Sequence, residues 1–500
     1  MGGATAAAQR RYTSVVFTLT CSLSTVAALA IAPVAGPDPC DPWCLVENPS
    51  FELPGAEPGQ VLAGWCNFGQ VGVAIDVAVH GRQSATVSGP GTVGWDISAL
   101  WQPFEAAPGD RFRITAHAMH RASSPIVGQA SAIVNVEWRD GGGGLIDFGT
   151  WTLLDASSPT DCLRRFEFET GPAPAGTATA RYLVGFLQSP AQESGTAVFD
   201  MVDIHRVEPV GWDDLQWVDF PGGTTLLFAS RLWRVKGPGV FGPGPNFFSD
   251  SSANVWVDSR GRLHLRITQV AGEWLAAELT LVDSLGYGEY RFKVEADLDD
   301  LDPKVIFGLF LWEYQPCWRP DNWWNAPNEI DIEFGRFGDP LNPPAQFVVQ
   351  PHTREGNRHQ FPLVTNGPLS PTTHGLDWRH DEVVFRSWHG HADEPQAGDV
   401  IETWSYTGPD NARPEEPRVH MNLWLFEGIA PSDGREVEVI VTDFTFIALC
   451  PADFDGDRLV GITDFLFLLA AWGGPAGDLD GDCTTGITDF LQLLGAWGPC

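Results

Sequence analysis

Apolar and polar residues alternate one for one through much of this chain, as in "RFRITAHAM" (111–119), "SAIVNVEWRD" (131–140), "GYGEYRFKVEADL" (286–298) and "EVEVIVTDFTFIAL" (436–449). A pleated strand sends successive side chains to opposite faces, so such runs read as strands with one buried face. Glycine and proline, 54 and 39 of them, cut the runs at short intervals. No long helical periodicity interrupts them between 211 and 449. The pattern predicts a mostly β protein built from antiparallel sandwiches.

Five hundred residues exceed one core, and the chain reads as a leader and three units. Residues 1–35 form an export signal: Arg10 and Arg11 precede an apolar stretch from about Val15 to Ala32, then small residues. The expected location is therefore secreted, extracellular and possibly tied to a cell surface. No later run approaches the roughly 20 apolar residues of a membrane-spanning helix. A formal charge of −34, with Lys only at 236, 293 and 304, excludes nucleic acid as a main partner. Twenty-one Trp favour neutral ligands with flat apolar faces, such as sugars. Without Cys21 of the leader, cysteines remain at 40, 44, 66, 162, 317, 450, 483 and 500, an even set suited to disulfides. Cys450 and Cys500 bracket the last segment and are the expected pair.

The run "NEIDIEFG" (328–335) carries Glu329, Asp331 and Glu333 between Ile330, Ile332 and Phe334. On a strand the acids share one face, and the outer two have Cα atoms roughly 13 Å apart. Side chains leaning toward a sugar bring the roughly 5 to 5.5 Å separation of a retaining glycosidase within reach. Crowded acids cannot all ionise, so at least one keeps its proton, as a general acid must. By spacing alone an exposed acidic strand is the better explanation of the run, since short runs of this kind are common.

The run resembles the catalytic strand of glycoside hydrolase family 16, in the form without an extra residue. "GYGEYRFKV", "FGLFLWE" and "MNLWLFEG" are similar to that family's neighbouring cleft segments, so the resemblance covers nearly all of residues 211–449. It implies a concanavalin-like jelly roll and retaining cleavage of a β-linked polysaccharide of β-glucan or galactan type. Position by position it makes Glu329 the nucleophile, Glu333 the general acid/base and Asp331 the acid that holds and tunes them. The missing residue implies a regular, unbulged strand. Trp312, Trp323, Trp324 and Trp424 are candidate sugar platforms, with Trp318, Trp388 and Trp404 as further ones. Around "PHTREGNRHQF" (351–361), His352, Arg354, Arg358 and His359 gather, a solvated loop or a site for an acidic sugar.

Residues 36–210 open on "LVENPSFELPG" and close on "GTAVFDMVDIHRVE", which resemble carbohydrate-binding modules of families 4 and 9 and imply another jelly roll. Trp65, Trp95 and Trp101 are its candidate platforms, each as readily a core residue. Residues 450–500 repeat at a 25-residue offset: "ADFDGDRLVGITDFLFLLAAWG" and "GDLDGDCTTGITDFLQLLGAWG". Each half has calcium-loop spacing followed by a short helix. Oxygens of Asp453, Asp455, Asp457, the Leu459 carbonyl and Asp464 form one set; Asp478, Asp480, Asp482, the Thr484 carbonyl and Asp489 form the other. The pair resembles a type I dockerin, which implies structural Ca²⁺ and a cohesin-type protein partner. The usual glycine at loop position 6 is replaced by Arg458 and Cys483. Phe465, Phe467, Leu468, Phe490, Leu493 and Trp497 are the expected core of this small unit, expected to be all-α. Two functions follow: a secreted endo-β-glycanase, or an inactive carbohydrate-binding or adhesion protein. The intact acid trio favours the first.

Overall fold

The computed structural model describes residues 45–500, apart from 56–57, 191–194, 208–216, 218–219, 314–327, 368 and 457. The leader, Asp457, Trp318, Trp323 and Trp324 thus lie outside the described residues. The chain is mostly β, and all described residues fall in one compact unit. No helix among them is long and apolar enough to cross a membrane.

The first sandwich pairs two five-stranded sheets. One runs in the order Cys66–Phe68, Asp96–Glu105, Thr179–Gln188, Ser131–Arg139 and Leu145–Leu154. The other runs Gln70–Ala74, Ser84–Ser88, Thr196–Arg206, Phe112–His120 and Arg164–Glu169. Ile114, Ala116, Ala118 and Val134, Val136 alternate inward as the two-residue period requires. Trp65 is corrected from platform to core: it is fully buried against Phe51 and Tyr182, at 5.3 and 6.2 Å between ring centroids. Trp101 is buried too, beneath the Arg181 guanidinium at 3.9 Å. Trp95 remains exposed.

The second sandwich has a cleft-bearing sheet and a backing sheet. The cleft sheet runs Thr225–Phe228, Arg231–Val235, Glu273–Ser284, Arg418–Leu425, Val305–Trp312, Ile330–Phe334, Ala345–Val349 and Arg358–Phe361. The backing sheet includes Leu263–Val270, Val437–Ala448, Gly288–Glu295, Pro371–Trp378, Val383–His389 and Val400–Tyr406. A continuous core between them holds Leu279, Phe307, Leu309, Ile330, Ile332, Phe334, Phe347, Met421 and Val439. The alternating run "NVWVDSRGRLHLRI" (254–267), broken by Ser259-Arg260-Gly261, reads as a hairpin and forms one, Val257 facing Leu263 and Gly261 N donating to Asp258 O at 2.9 Å. Trp388 and Trp404 are packing residues rather than platforms. Trp388 is buried and donates to Ala392 O, and Trp404 stacks on Phe385 and His359.

The last segment holds helices Ile462–Ala470 and Ile487–Gly495 and a two-stranded pairing of Leu459–Val460 with Gly498–Pro499. The expectation of an all-α unit is corrected by that strand pair. Leu468 and Leu493 are fully buried with Phe465 and Phe490 packed on them, whereas Phe467 and Trp497 are exposed. Cys450 and Cys500 are bonded, and so, across 321 residues, are Cys162 and Cys483. Arg458 reaches Glu394 at 2.6 Å and Glu289 at 3.2 Å in the second sandwich. Arg458 and Cys483 occupy the same position of the two repeats, both at positive φ (67° and 74°), where glycine is usually cheapest. The side chain at each strained position is a tether, one ionic and one covalent. A non-reduced digest should yield linked peptides containing 162 with 483 and 450 with 500. Replacing Cys162 and Cys483 together by Ser should cost roughly 2–4 kcal/mol, read as earlier thermal unfolding of the C-terminal segment.

Candidate active site

The acid strand is regular: Phe307 to Leu311 face Phe334 to Ile330 on one side, and Ala345 to Val349 face Phe334 to Ile330 on the other, with no slip in register. Ile330, Ile332 and Phe334 point into the core and are fully buried. Asp331 and Glu333 therefore point into the cleft. Glu329 precedes the strand's first ladder residue, and Gln350 N still donates to its carbonyl at 3.2 Å.

Register then extends these positions across the sheet. Gln346, Glu333, Gly308, Asn422 and Glu278 lie in one row; Val348, Asp331, Phe310, His420 and Thr280 lie in the next. A cleft enclosing about 690 Å³ of open space is lined by the three acids with Lys236, Glu278, Gly308, Phe310, Trp312, Asn422 and Trp424. Trp312 sits edge-on to His420, 5.4 Å between centroids. Trp312 and the residue opposite Trp424, Ile306, are six positions apart, so their backbones stand about 20 Å apart along the strand direction. Gly308 has a steric reason: a Cβ there would lie 2.6 Å from Asn422 Oδ1.

Burial sets the chemistry of the acids. Asp331 is only 2% exposed, while Glu329 and Glu333 keep part of their surface open to the cleft. Desolvation pushes all three carboxyls up. Asp331 rises furthest, because the charges of Glu329 and Glu333 add to burial and outweigh the hydrogen bond from Gln350 Nε2 at 2.9 Å. Glu329 is pushed up to about 8 by burial, against a hydrogen bond from Asp331 that favours its ionised form. Glu333 rises through burial, opposed by Gln346 Nε2 at 2.8 Å and by the Arg358 charge. The hydrogen bond shared by Glu329 and Asp331 lowers the first and raises the second.

A second network lies beside the trio. Lys236 Nζ donates to Glu278 Oε2 at 3.1 Å and to Gly242 O at 2.7 Å; Glu278 Oε1 meets His420 Nδ1 at 3.1 Å, and His420 Nε2 meets Thr280 Oγ1 at 3.0 Å. Burial alone would raise Glu278, but Lys236 and His420 hold it below the ordinary carboxylate range. Its fixed negative charge adds to the burial that pushes Glu329 up. Asn422 Oδ1 and Gln346 Oε1, both buried, have no hydrogen-bond partner among the described residues, which leaves two acceptors for a polar ligand. None of Lys236, Glu278, Gln346 and His420 is marked by local sequence; only sheet register brings positions 236 to 422 together. Asn422 and Trp424 did lie in a segment singled out by resemblance. Of the basic loop, Arg354 is ion-paired with buried Asp410 and His359 lies 3.6 Å from Glu402, so these two serve the fold.

The two acidic loops form a separate constellation. Carboxylate oxygens of Asp453, Asp455 and Asp464 lie within 4.8 Å of one another, as do those of Asp478, Asp480 and Asp482. The repeats match bond for bond: Asp453 accepts from Gly456 N and Arg458 N, Asp478 from Gly481 N and Cys483 N. Asp464 and Asp489 each close their loop, accepting from Gly461 N at 2.7 Å and Gly486 N at 2.6 Å. Thr484 is exposed, and Leu459 begins the two-residue strand. Clustered hard oxygen donors suit a hard divalent cation such as Ca²⁺.

No protein-family model and no curated protein matches the sequence. Among solved structures, the chain is similar to a Bacillus licheniformis beta-glucanase at 17% identity and TM-score 0.33, over 46% of this chain and 100% of that one. It is similar to a prokaryotic beta-1,3-1,4-glucanase (lichenase) from a mouse hindgut metagenome at 17% identity and TM-score 0.33, over 45% and 99%. A Mycobacterium tuberculosis immunostimulatory antigen and pseudo beta-1,3-glucanase matches at 18% and 0.32, over 43% and 89%.

A carboxyl whose folded value is raised stabilises the fold at low pH and loses that contribution as pH rises from its unfolded value, near 4.5, through about 8. Glu329→Gln removes this loss. The variant should unfold a few degrees above wild type at pH 8, with the gap shrinking toward pH 5, as measured by calorimetry. A gap independent of pH would contradict the assignment.

Proposed function

We propose that residues 211–449 are a retaining β-glycanase acting on a β-linked polysaccharide. The observation that carries this reading is the desolvated acid trio on the floor of an open cleft, with Asp331 hydrogen-bonded to Glu329. Glu329 attacks the anomeric carbon as a carboxylate while Glu333 protonates the departing glycosidic oxygen. The bond to that oxygen breaks and a glycosyl ester to Glu329 forms. Glu333, now ionised, takes a proton from water, whose oxygen attacks the same carbon and frees Glu329. Asp331 keeps its proton throughout, moderating the basicity of Glu329 so that it can also leave. Trp312 provides an apolar face at one end of the cleft, Trp424, buried against Phe248 and Ile306, lines the other, and the unpartnered acceptors of Asn422 and Gln346 receive sugar hydroxyls. Trp323 and Trp324, beside the acid strand in sequence, belong to the same proposal as further platforms.

Glu329→Gln should abolish release of reducing ends from a panel of β-glucans, xyloglucan and galactans. Glu333→Gln should lose roughly 10²- to 10⁴-fold in kcat, with azide partly restoring turnover. Proton NMR of the first product should report retained anomeric configuration. Wild type that binds one of these glycans without cleaving it would replace this reading by that of a carbohydrate-binding or adhesion protein.

The C-terminal loops complete the proposal. Asp453, Asp455, Asp457, the Leu459 carbonyl and Asp464, and in the second repeat Asp478, Asp480, Asp482, the Thr484 carbonyl and Asp489, would hold Ca²⁺ as a structural ion. It draws together carboxylates that otherwise repel, in a small unit with few fully buried side chains. The helices and the turns that follow them expose matching residues, Ile462, Leu466, Leu469 and Trp472 in one repeat and Ile487, Leu491, Leu494 and Trp497 in the other. Such a ridge suits a protein partner of cohesin type. Paired cysteines fit an oxidising, extracellular setting. Adding a chelator to the full chain should lower the unfolding temperature of the C-terminal segment, and Ca²⁺ should restore it. A melting profile indifferent to both would refute the metal assignment.

A further inference from the structure

The first sandwich is joined to the cleft by more than a linker. His80 is fully buried, and its Nε2 lies 3.1 Å from Asn411 O and 3.0 Å from Ala412 O in the second sandwich. Both partners are carbonyls, so Nε2 carries the proton and donates. The adjoining Gly81 N donates to His380 O at 2.7 Å. The His80 loop is itself held by Asp200, whose Oδ2 accepts from Val79 N and His80 N at 2.6 and 3.1 Å.

The strap Asp410–Arg413 passes the connection on. Asp410 accepts from Asn357 Nδ2 at 2.8 Å, and Asn411 Nδ2 donates to Arg379 O and His380 O at 2.7 and 3.1 Å. Arg413 then grips the residue before the acid strand: its N donates to Asn328 Oδ1 at 2.6 Å, and its carbonyl accepts from Asn328 Nδ2 at 3.0 Å. Asn328 Nδ2 also donates to buried Glu313 Oε2 at 2.8 Å. Asn328 is fully buried at φ 49°, a left-handed conformation that needs outside support and that sets the direction in which Glu329 leaves it. From the first sandwich, Asp203 also feels the Arg413 charge, while its pair with His205 at 3.0 Å is half exposed and screened by solvent.

We infer that the first sandwich is a positioning element for cleavage: His80, through the strap Asp410–Arg413, holds Asn328 and thereby the direction of Glu329. This rests on the glycanase reading, and it assigns His80 a positioning role, since it touches neither substrate nor reacting atoms. It also gives the first sandwich a task that requires no sugar platform.

The test uses the full chain. His80→Ala should lower kcat about tenfold on whichever glycan the wild type cleaves, with KM changed less than twofold, because the cleft walls remain. His80→Gln, which keeps a side-chain N–H donor, should recover at least half of that loss. Hydrogen exchange of the peptide spanning 328–334 should quicken at least threefold in His80→Ala, with exchange in the opposite-end strand Thr225–Phe228 unchanged. That second readout needs no turnover, so an inactive wild type would sink the glycanase reading while still deciding the coupling. Should His80→Ala fail to fold, Asp200→Asn, which takes one carboxylate oxygen from the loop carrying His80, takes its place, with an expected twofold quickening of the same peptide. Unaltered exchange at 328–334 in whichever variant is measured, or a kcat loss that His80→Gln does not recover, overturns the inference.

Discussion

Carboxylates removed from water hold their protons, and in this protein that cost is concentrated on one short strand. Asp331 is nearly sealed, Glu329 and Glu333 flank it, and Glu278 stands fixed as an anion three strands beyond Glu333. None of these groups would choose such company in solution. The arrangement persists because Ile330, Ile332 and Phe334 drive the same strand into a fully packed core. Apolar burial on one face thus supports electrostatic strain on the other. The strain is directed: Gln350 and Gln346 each satisfy one acid, while Lys236 and His420 hold Glu278 ionised.

The same economy governs how the units are joined. The surface carries a large negative charge, so mutual repulsion opposes compact assembly. Specific contacts offset it. Arg458 bridges two acids of the second sandwich, Arg413 lies among Asp203, Glu415 and Glu313, and Cys162 with Cys483 adds a link that charge cannot break. These cations sit where units meet or where buried acids need a partner. Lys236, one of three lysines in the chain, is the extreme instance.

Legibility from sequence followed the range of the interaction. The hairpin at Ser259–Gly261, the regular acid strand and the Cys450–Cys500 bond all depend on nearby residues or on a repeating period, and all were readable. The fate of individual tryptophans was not. Trp65, Trp388 and Trp404 lie within patterns that fit either a platform or a core, and only the packing around them made them core. Cys483 at a glycine position looked like a defect of the loop until its partner, 321 residues earlier, gave it a use. The expected all-α tail missed a two-residue pairing too short to leave any period.

By itself the sequence determined that the chain is mostly β, that three acids share one strand face, and that acidic loops repeat at its end. Those properties follow from side-chain order along a single strand or loop, which pleat geometry converts directly into position. Tertiary structure alone decided which distant groups complete the cleft, because Glu278, Gly308, Gln346 and Asn422 meet the acids only through the register of five adjoining strands. It also decided that His80, far away in the chain, stands behind Glu329. Register and docking are settled by the fit of whole surfaces, and no local run of residues encodes that fit.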